Sequence, residues 1–196
     1  MRRPLAFVVA GALLIAAGLA CWWLGADLPL HRLLRLDAPG WIPRVTLLSA
    51  LGGLAVMGPI AIAAVLLLLL PLRRLADAVW LLATIVTGRL AVEGLKLVVM
   101  RPRPPVVDQL ELVKSWSFPS SHSAGTMMTC VALALLFGGR RWGMAVALLA
   151  AAFIGWTRVA LAVHWPSDVL AGWGFGLVWL GLSLRIRAAI APLRGS

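Results

Sequence analysis

The chain runs to 196 residues, of which 62% are hydrophobic and only 13% charged, with a mean hydropathy of +0.97. Soluble domains average about half apolar and about a quarter charged, so the composition excludes that class. The net charge of +11 does not point to nucleic acid either, because the arginines punctuate apolar runs instead of forming one basic stripe.

A span of about 20 apolar residues crosses the hydrocarbon of a bilayer. On that yardstick the sequence predicts helices near 5–25, 45–70, 75–99, 120–137, 142–161 and 168–186. Arg2-Arg3 and the run ending Gly18-Leu19-Ala20-Cys21 faintly resemble a lipoprotein signal. The usual leucine three residues before the cysteine is missing, and Trp22-Trp23 follow, so 5–24 reads as a retained first helix. The segment 28–44 reads as a short amphipathic piece on the outer surface, with His31 as an interfacial residue. Pro71-Leu72-Arg73-Arg74 separates the second and third helices, and Gly138-Gly139-Arg140-Arg141 is a tight turn before the fifth. Cys21 and Cys130 have no metal or disulfide spacing and read as small buried hydrophobes. Gly172, Gly174 and Gly176 permit close helix packing in the sixth span; oligomeric state is not legible. With no polar stretch long enough for a second domain, residues 1–196 form one domain. The expected fold is all-α, a polytopic integral membrane protein built as a six-transmembrane-helix bundle.

Six spans put both termini on one side of the membrane. That side holds nine basic residues, Arg2, Arg3, Arg73, Arg74, Arg140, Arg141, Arg185, Arg187 and Arg194, against five on the other once the candidate site residues are set aside, Arg32, Arg35, Arg44, Arg101 and Lys114. The bias predicts cytoplasmic termini. Six of the ten tryptophans, Trp22, Trp23, Trp41, Trp116, Trp156 and Trp165, map to the outer boundary, where such rings prefer to sit.

Three polar clusters interrupt the apolar chain: Lys96 with Arg103, Ser120-Ser121-His122, and Arg158 with His164 and Asp168. Odd helices end and even helices begin on the same face, so all three lie at one surface and can converge. Charge beside a membrane is costly without a partner or a task. Arg103-Pro104 ends a helix, and Lys96 lies two turns deeper on nearly the same face. Together with Arg158 these cations suit a phosphate dianion, which Arg can grip through two oxygens. Ser120 and Ser121 open a helix whose free N–H groups form an anion site, with His122 on its first turn. Asp168 near His164 can accept one imidazole N–H and leave the other nitrogen exposed. The same residues also fit plainer roles: headgroup-snorkelling arginines, a serine cap with a boundary histidine, and a capping Asp beside an interfacial His. Arg89 and Glu93 read as an intramembrane ion pair, with a possible second role in placing Lys96. No His or carboxylate grouping has metal-ligand spacing, so neither metal nor cofactor is expected. A serine nucleophile acting through His and Asp would leave Lys96, Arg103 and Arg158 without a role.

Taken together, Lys96-x6-Arg103-Pro104, Pro119-Ser120-Ser121-His122 and Arg158-x5-His164-x3-Asp168 resemble the three-part signature of the type 2 phosphatidic acid phosphatase family, the membrane branch of the vanadium haloperoxidase superfamily. The motifs run from residue 96 to 168, and the six-helix layout extends the likeness over nearly the whole chain. Two positions depart from the pattern: Ser121 stands where Gly is usual, and Thr157 where Ser is usual. The resemblance implies that His164 is a nucleophile forming a phosphohistidine, oriented by Asp168, and that His122 protonates the leaving oxygen. Lys96, Arg103, Ser120, the Ser121 backbone amide and Arg158 would hold the phosphoryl oxygens. The implied activity is metal-independent hydrolysis of a lipid phosphate or diphosphate, such as phosphatidic acid, phosphatidylglycerol phosphate or a polyprenyl diphosphate. The site would face the extracytoplasmic side of a bacterial inner membrane. A phosphate site at the membrane boundary is best placed for an amphiphile. Two other readings compete: a phosphotransferase using the same intermediate, and a non-enzymatic protein that binds anionic lipid. A haloperoxidase is disfavoured because those relatives are soluble.

Overall fold

The computed structural model describes residues 2–138 and 141–190. The expected turn at Gly139-Arg140 and the terminal Arg194 lie outside the described residues, as do the side chains of Arg2 and Arg3. The elements are α1 (Arg2–Trp23), α2 (Asp27–Leu34), a 3-10 turn at Pro39–Trp41, α3 (Ile42–Ala50), α4 (Leu54–Leu69), α5 (Leu75–Val99), a 3-10 turn at Val106–Asp108, α6 (Ser121–Leu133) continued by a π-helical turn (Ala134–Gly138), α7 (Arg141–Ala160) and α8 (Pro166–Ile190). Among the described residues six stretches are long and apolar enough to cross a bilayer, and the protein is an integral membrane protein of the all-α class.

α8 is the axis of the bundle, packing on α1 along one face and α6 along another. Its glycines make both approaches close. A Cβ at Gly174 would lie 2.5 Å from the Gly11 carbonyl of α1, and one at Gly172 would lie 2.7 Å from the Ser120 carbonyl of α6. Lipid supplies no hydrophobic drive between helices, so such small-residue contacts carry the association through dispersion. The Gly172 contact sets the start of α6 against the start of α8. The main apolar core, including Leu68, Leu81, Met127, Val131, Ala151 and Leu180, fills the half of the bundle away from the polar clusters.

The second span differs from the expected continuous helix over 45–70. It breaks between α3 and α4, where Gly53 is extended (φ −71°, ψ 161°). Gly52 explains the position of the break: a Cβ there would meet Ile154 at 2.2 Å and Thr126 at 2.9 Å, so only glycine lets the chain pass this close to α6 and α7. Hydropathy does not register such a break. The amphipathic segment resolves into α2, the 3-10 turn and the start of α3, and α2 lies against α7 and α8. His31 is not an open interfacial residue: it is buried, edge-on to Trp165 with ring centroids 5.4 Å apart. Cys21 and Cys130 are half-buried, and the Cys21 thiol donates to Asp27 Oδ1 at 3.6 Å.

Candidate active site

α5 ends where Met100 turns left-handed (φ 45°), its N–H still bonded to the Lys96 carbonyl. That turn leaves Lys96 on the last helical turn and swings Arg101 and Arg103 onto the connecting loop. Lys96 is buried, with Nζ 3.6 Å from Glu93 and 3.4 Å from Ser115 Oγ. Arg103 is wrapped by the returning loop. Its Nε donates to the Ser115 carbonyl at 2.7 Å, and Nη2 donates to Ser115 Oγ at 3.1 Å and the Trp116 carbonyl at 3.2 Å. Nη1 donates to the Val163 carbonyl and lies 3.0 Å from His164 Nε2.

Ser120 caps α6, its Oγ accepting from Ser123 N–H at 3.4 Å and from Ser123 Oγ at 3.0 Å. Two accepted bonds leave its own hydroxyl proton free to donate. The Ser120 N–H bonds to the Asp168 carbonyl at 3.0 Å, which ties the second cluster to the third. Ser121 Oγ donates to Glu93 Oε1 at 2.5 Å. His122 stands beside the α3–α4 break: a Cβ on Gly53 would come within 3.3 Å of its Nε2. Arg158, His164, Arg89 and Lys96 all lie within electrostatic range of it.

Arg158, on the last turn of α7, is 2% exposed. Its Nη1 donates to Ser49 Oγ of α3 at 2.6 Å and to Glu111 at 2.9 Å. The chain then turns through Ala162 (φ 56°), a left-handed alanine that costs roughly 1–2 kcal/mol. The N–H groups of Val163 and His164 both bond to the Arg158 carbonyl, holding that turn closed. His164 is thereby delivered to the interior at 2% exposure, with Nδ1 3.4 Å from Asp168 Oδ2 and 3.4 Å from Ser117 Oγ. Asp168 Oδ2 also accepts from Ser117 Oγ and from the Trp165 N–H at 2.9 Å. Pro166 at the first helical position suits the start of α8, where its missing N–H is no loss.

The ring polarity of His164 follows from its neighbours. A guanidinium is a donor only, so the Nε2 facing Arg103 carries the lone pair and Nδ1 carries the proton, directed at Asp168 and Ser117. Burial, reinforced by the charges of Arg103, Arg158 and Lys96, holds the His164 pKa well below its ordinary value. Burial and then the Arg158 charge bring Arg103 down to about 10, which still leaves it cationic at neutral pH. His31 is likewise lowered, by burial first and then by Arg35. Both histidines are harder to protonate in the fold than in the unfolded chain, where they bind protons below about pH 6.5. Stability is therefore expected to decline as pH falls through about 6.5. Thermal unfolding in detergent at pH 8, 7, 6 and 5 checks this, and a rising midpoint over that series would contradict it.

All eight residues singled out from the sequence lie at one end of the bundle, where the parity of the helices puts them. Other expectations need correction. Arg89 does not pair with Glu93: its Nη1 donates to the Ser121 carbonyl at 3.2 Å, and Glu93 pairs with Lys96 and Ser121 instead. The reason is steric, since Gly125 of α6 leaves the space into which the Arg89 guanidinium packs, turning it away from its own helix. The Thr157 hydroxyl is spent on its own helix, donating to the Ile154 carbonyl at 2.6 Å. Arg101, read as an outer-surface charge, is 6% exposed and pairs with Asp168 and Asp27. Asp27, Ser49, Glu111 and Ser117 also enter the site without having been singled out. Among the described residues no group of three or more His, Cys, Asp or Glu side chains is placed to hold a metal ion.

Comparison with known proteins follows the same lines. Residues 77–191 match the PAP2 superfamily. Over 74 residues the chain is 34% identical to an undecaprenyl-diphosphatase of Sulfolobus acidocaldarius, covering 37% of this chain and 34% of that one. Over 71 residues it is 45% identical to a lipid A 1-phosphatase of Rhizobium johnstonii, covering 36% and 27%. The alignments thus span about a third of the length of these curated relatives. The crystal structure of a transmembrane PAP2-type phosphatidylglycerolphosphate phosphatase from Bacillus subtilis superposes with a TM-score of 0.77 at 25% identity, covering 97% of this chain and 98% of that one. With the superfamily match extending over more than half of its length and the same fold throughout, the chain belongs to the PAP2 superfamily.

Proposed function

We propose that this single domain, residues 1–196, is a lipid phosphatase that hydrolyses a lipid phosphate monoester or diphosphate through a phosphohistidine on His164, with no metal. One observation carries the reading: a donor-only guanidinium sits 3.0 Å from His164 Nε2, while a carboxylate and a hydroxyl meet Nδ1. That arrangement leaves a nucleophilic lone pair pointing at a cationic pocket.

In the first half-reaction the Nε2 lone pair attacks the terminal phosphorus and the P–N bond forms. The P–O bond breaks to the lipid oxygen of a monoester or to the bridging oxygen of a diphosphate, which leaves as the lipid phosphate. His122, protonated once the negative charge of bound substrate offsets the surrounding cations, gives its proton to the leaving oxygen, and Asp168 balances the charge on the phosphorylated ring. Lys96, Arg103, Arg158, the Ser120 hydroxyl and the Ser121 amide hold the equatorial oxygens as charge spreads over them. Arg103 moves from Nε2 to a phosphoryl oxygen as the substrate enters. In the second half-reaction His122 takes a proton from water, the water oxygen attacks phosphorus, the P–N bond breaks and inorganic phosphate leaves.

The substrate class is supported by the names of the relatives, which act on undecaprenyl diphosphate, lipid A and phosphatidylglycerol phosphate. It is also supported by the site's place at the end of six lipid-bathed spans. The basic bias toward the termini favours an extracytoplasmic site in a bacterial inner membrane. Purified protein assayed for phosphate release on those three lipids is expected to turn over at least one of them, undiminished by a chelator. No release from any, or release that a chelator abolishes and a divalent metal restores, would contradict the reading.

A further inference from the structure

Two buried charged groups at the site belong to none of the three sequence clusters. Arg101 and Asp27 are each 6% exposed. A buried guanidinium is costly unless its donors are used, and here they are divided among partners. Nη1 donates to Asp168 Oδ1 at 2.5 Å and to Ser167 Oγ at 2.6 Å, while Nη2 donates to Asp27 Oδ2 at 2.6 Å. Asp27 is fixed in turn by the Ser167 N–H at 2.9 Å and the Ser167 hydroxyl at 2.6 Å. The Trp22 ring lies 4.1 Å from the guanidinium carbon and closes the remaining side. One side chain thus ties α2, outside the apolar spans, to the first turn of α8.

We propose that Arg101 is a positioning residue: clamped by Asp27, it holds Oδ1 of Asp168 so that Oδ2 meets Nδ1 of His164. The inference rests on the reading of His164 as nucleophile. A carboxylate can rotate about its bond to Cβ. Oδ2 is engaged by Trp165 N–H, Ser117 and His164, and Arg101 is what fixes the opposite oxygen. A lysine would supply the charge but not the planar fork that reaches both carboxylates at once.

Arg101 also shares the charge of Asp168, so Asp168 pulls less strongly on the His164 proton. The groups facing His164 are Asp168 from α8, Arg103 and Ser117 from the loop after α5, Lys96 from α5, Arg158 from α7 and His122 from α6. With these unchanged, removing the Arg101 cation favours the protonated imidazole. The acid limb of kcat/KM then moves to higher pH.

The test uses the full chain, purified as Arg101→Gln, Arg101→Lys and Asp27→Asn, on whichever lipid phosphate the wild type turns over best. The expected fall in kcat for Arg101→Gln is roughly 10- to 100-fold, the scale on which orienting partners of functional histidines act. KM should stay within about two-fold, since no contact to bound substrate is lost. The acid limb should move upward in Arg101→Gln, and Arg101→Lys should regain thermal stability more fully than kcat. Asp27→Asn should show a smaller fall in kcat than Arg101→Gln. A folded Arg101→Gln with wild-type kcat and acid limb would overturn the inference. So would losses in all three variants that track only the folded fraction, with the acid limb unmoved. Turnover surviving in His164→Ala would instead remove the reading on which the inference depends.

Discussion

His164→Ala is expected to lower phosphate release by about 100,000-fold or more, the scale on which loss of a covalent nucleophile acts. The variant should nonetheless fold. Arg103 keeps its bonds to the Ser115 and Trp116 carbonyls and to Ser115 Oγ, and Asp168 keeps Ser117, Arg101 and the Trp165 N–H. The pocket therefore retains its cations and should still bind a lipid phosphate. Binding measured by a fluorescent lipid phosphate, beside turnover measured by released phosphate, separates the two. Wild-type turnover in the folded variant would rule out His164 as the phosphoryl acceptor. Intact binding with no turnover also separates this account from a protein that only binds anionic lipid, whose wild type would show no turnover either.

Asp168→Asn is expected to cost about 1,000- to 10,000-fold in kcat, on the scale of an orienting carboxylate lost from a histidine. An amide that presents its NH2 to Nδ1 selects the tautomer with the proton on Nε2. That proton would then face the Arg103 guanidinium 3.0 Å away, where a donor meets a donor and no lone pair remains for phosphorus. The substitution also takes a charge from the Arg101 pair, so a lowered unfolding temperature should accompany the kinetic loss. The kinetic effect is the discriminating one: a variant that is destabilised yet turns over within about ten-fold of wild type would show that the tautomer is not set by Asp168.

The three polar clusters of the candidate site were legible because membrane topology reduces three dimensions to one. A helix that must cross the bilayer places Lys96, His122, Arg158 and Asp168 at a depth that sequence position alone determines, and Arg103 and His164 follow from the helix ends. Arg101 was not legible. It reads as one more boundary arginine until α2 folds back and presents Asp27, and that contact joins residues 74 positions apart. Ser117 and Glu111 were hidden for the same reason, since they come from a loop whose path is set by what it wraps. The break at Gly52-Gly53 escaped a hydropathy reading because glycine scarcely alters an apolar average. Its cause is a contact with Ile154 that only the folded chain contains. The Arg89–Glu93 spacing misled in the opposite direction: it satisfies the i,i+4 rule, but the open space over Gly125 gave Arg89 another place to pack.

The central claim is that phosphorus is bonded to His164 Nε2 during turnover. Mixing the wild-type protein with a lipid phosphate radiolabelled on its terminal phosphoryl group, quenching within milliseconds in alkaline denaturant and mapping the label by peptide tests it most directly. The account predicts an acid-labile, base-stable label on the peptide carrying His164, formed and lost at rates that sustain turnover and absent from His164→Ala. Phosphate release at the full rate with no label on His164, or with the label on a serine, would contradict it.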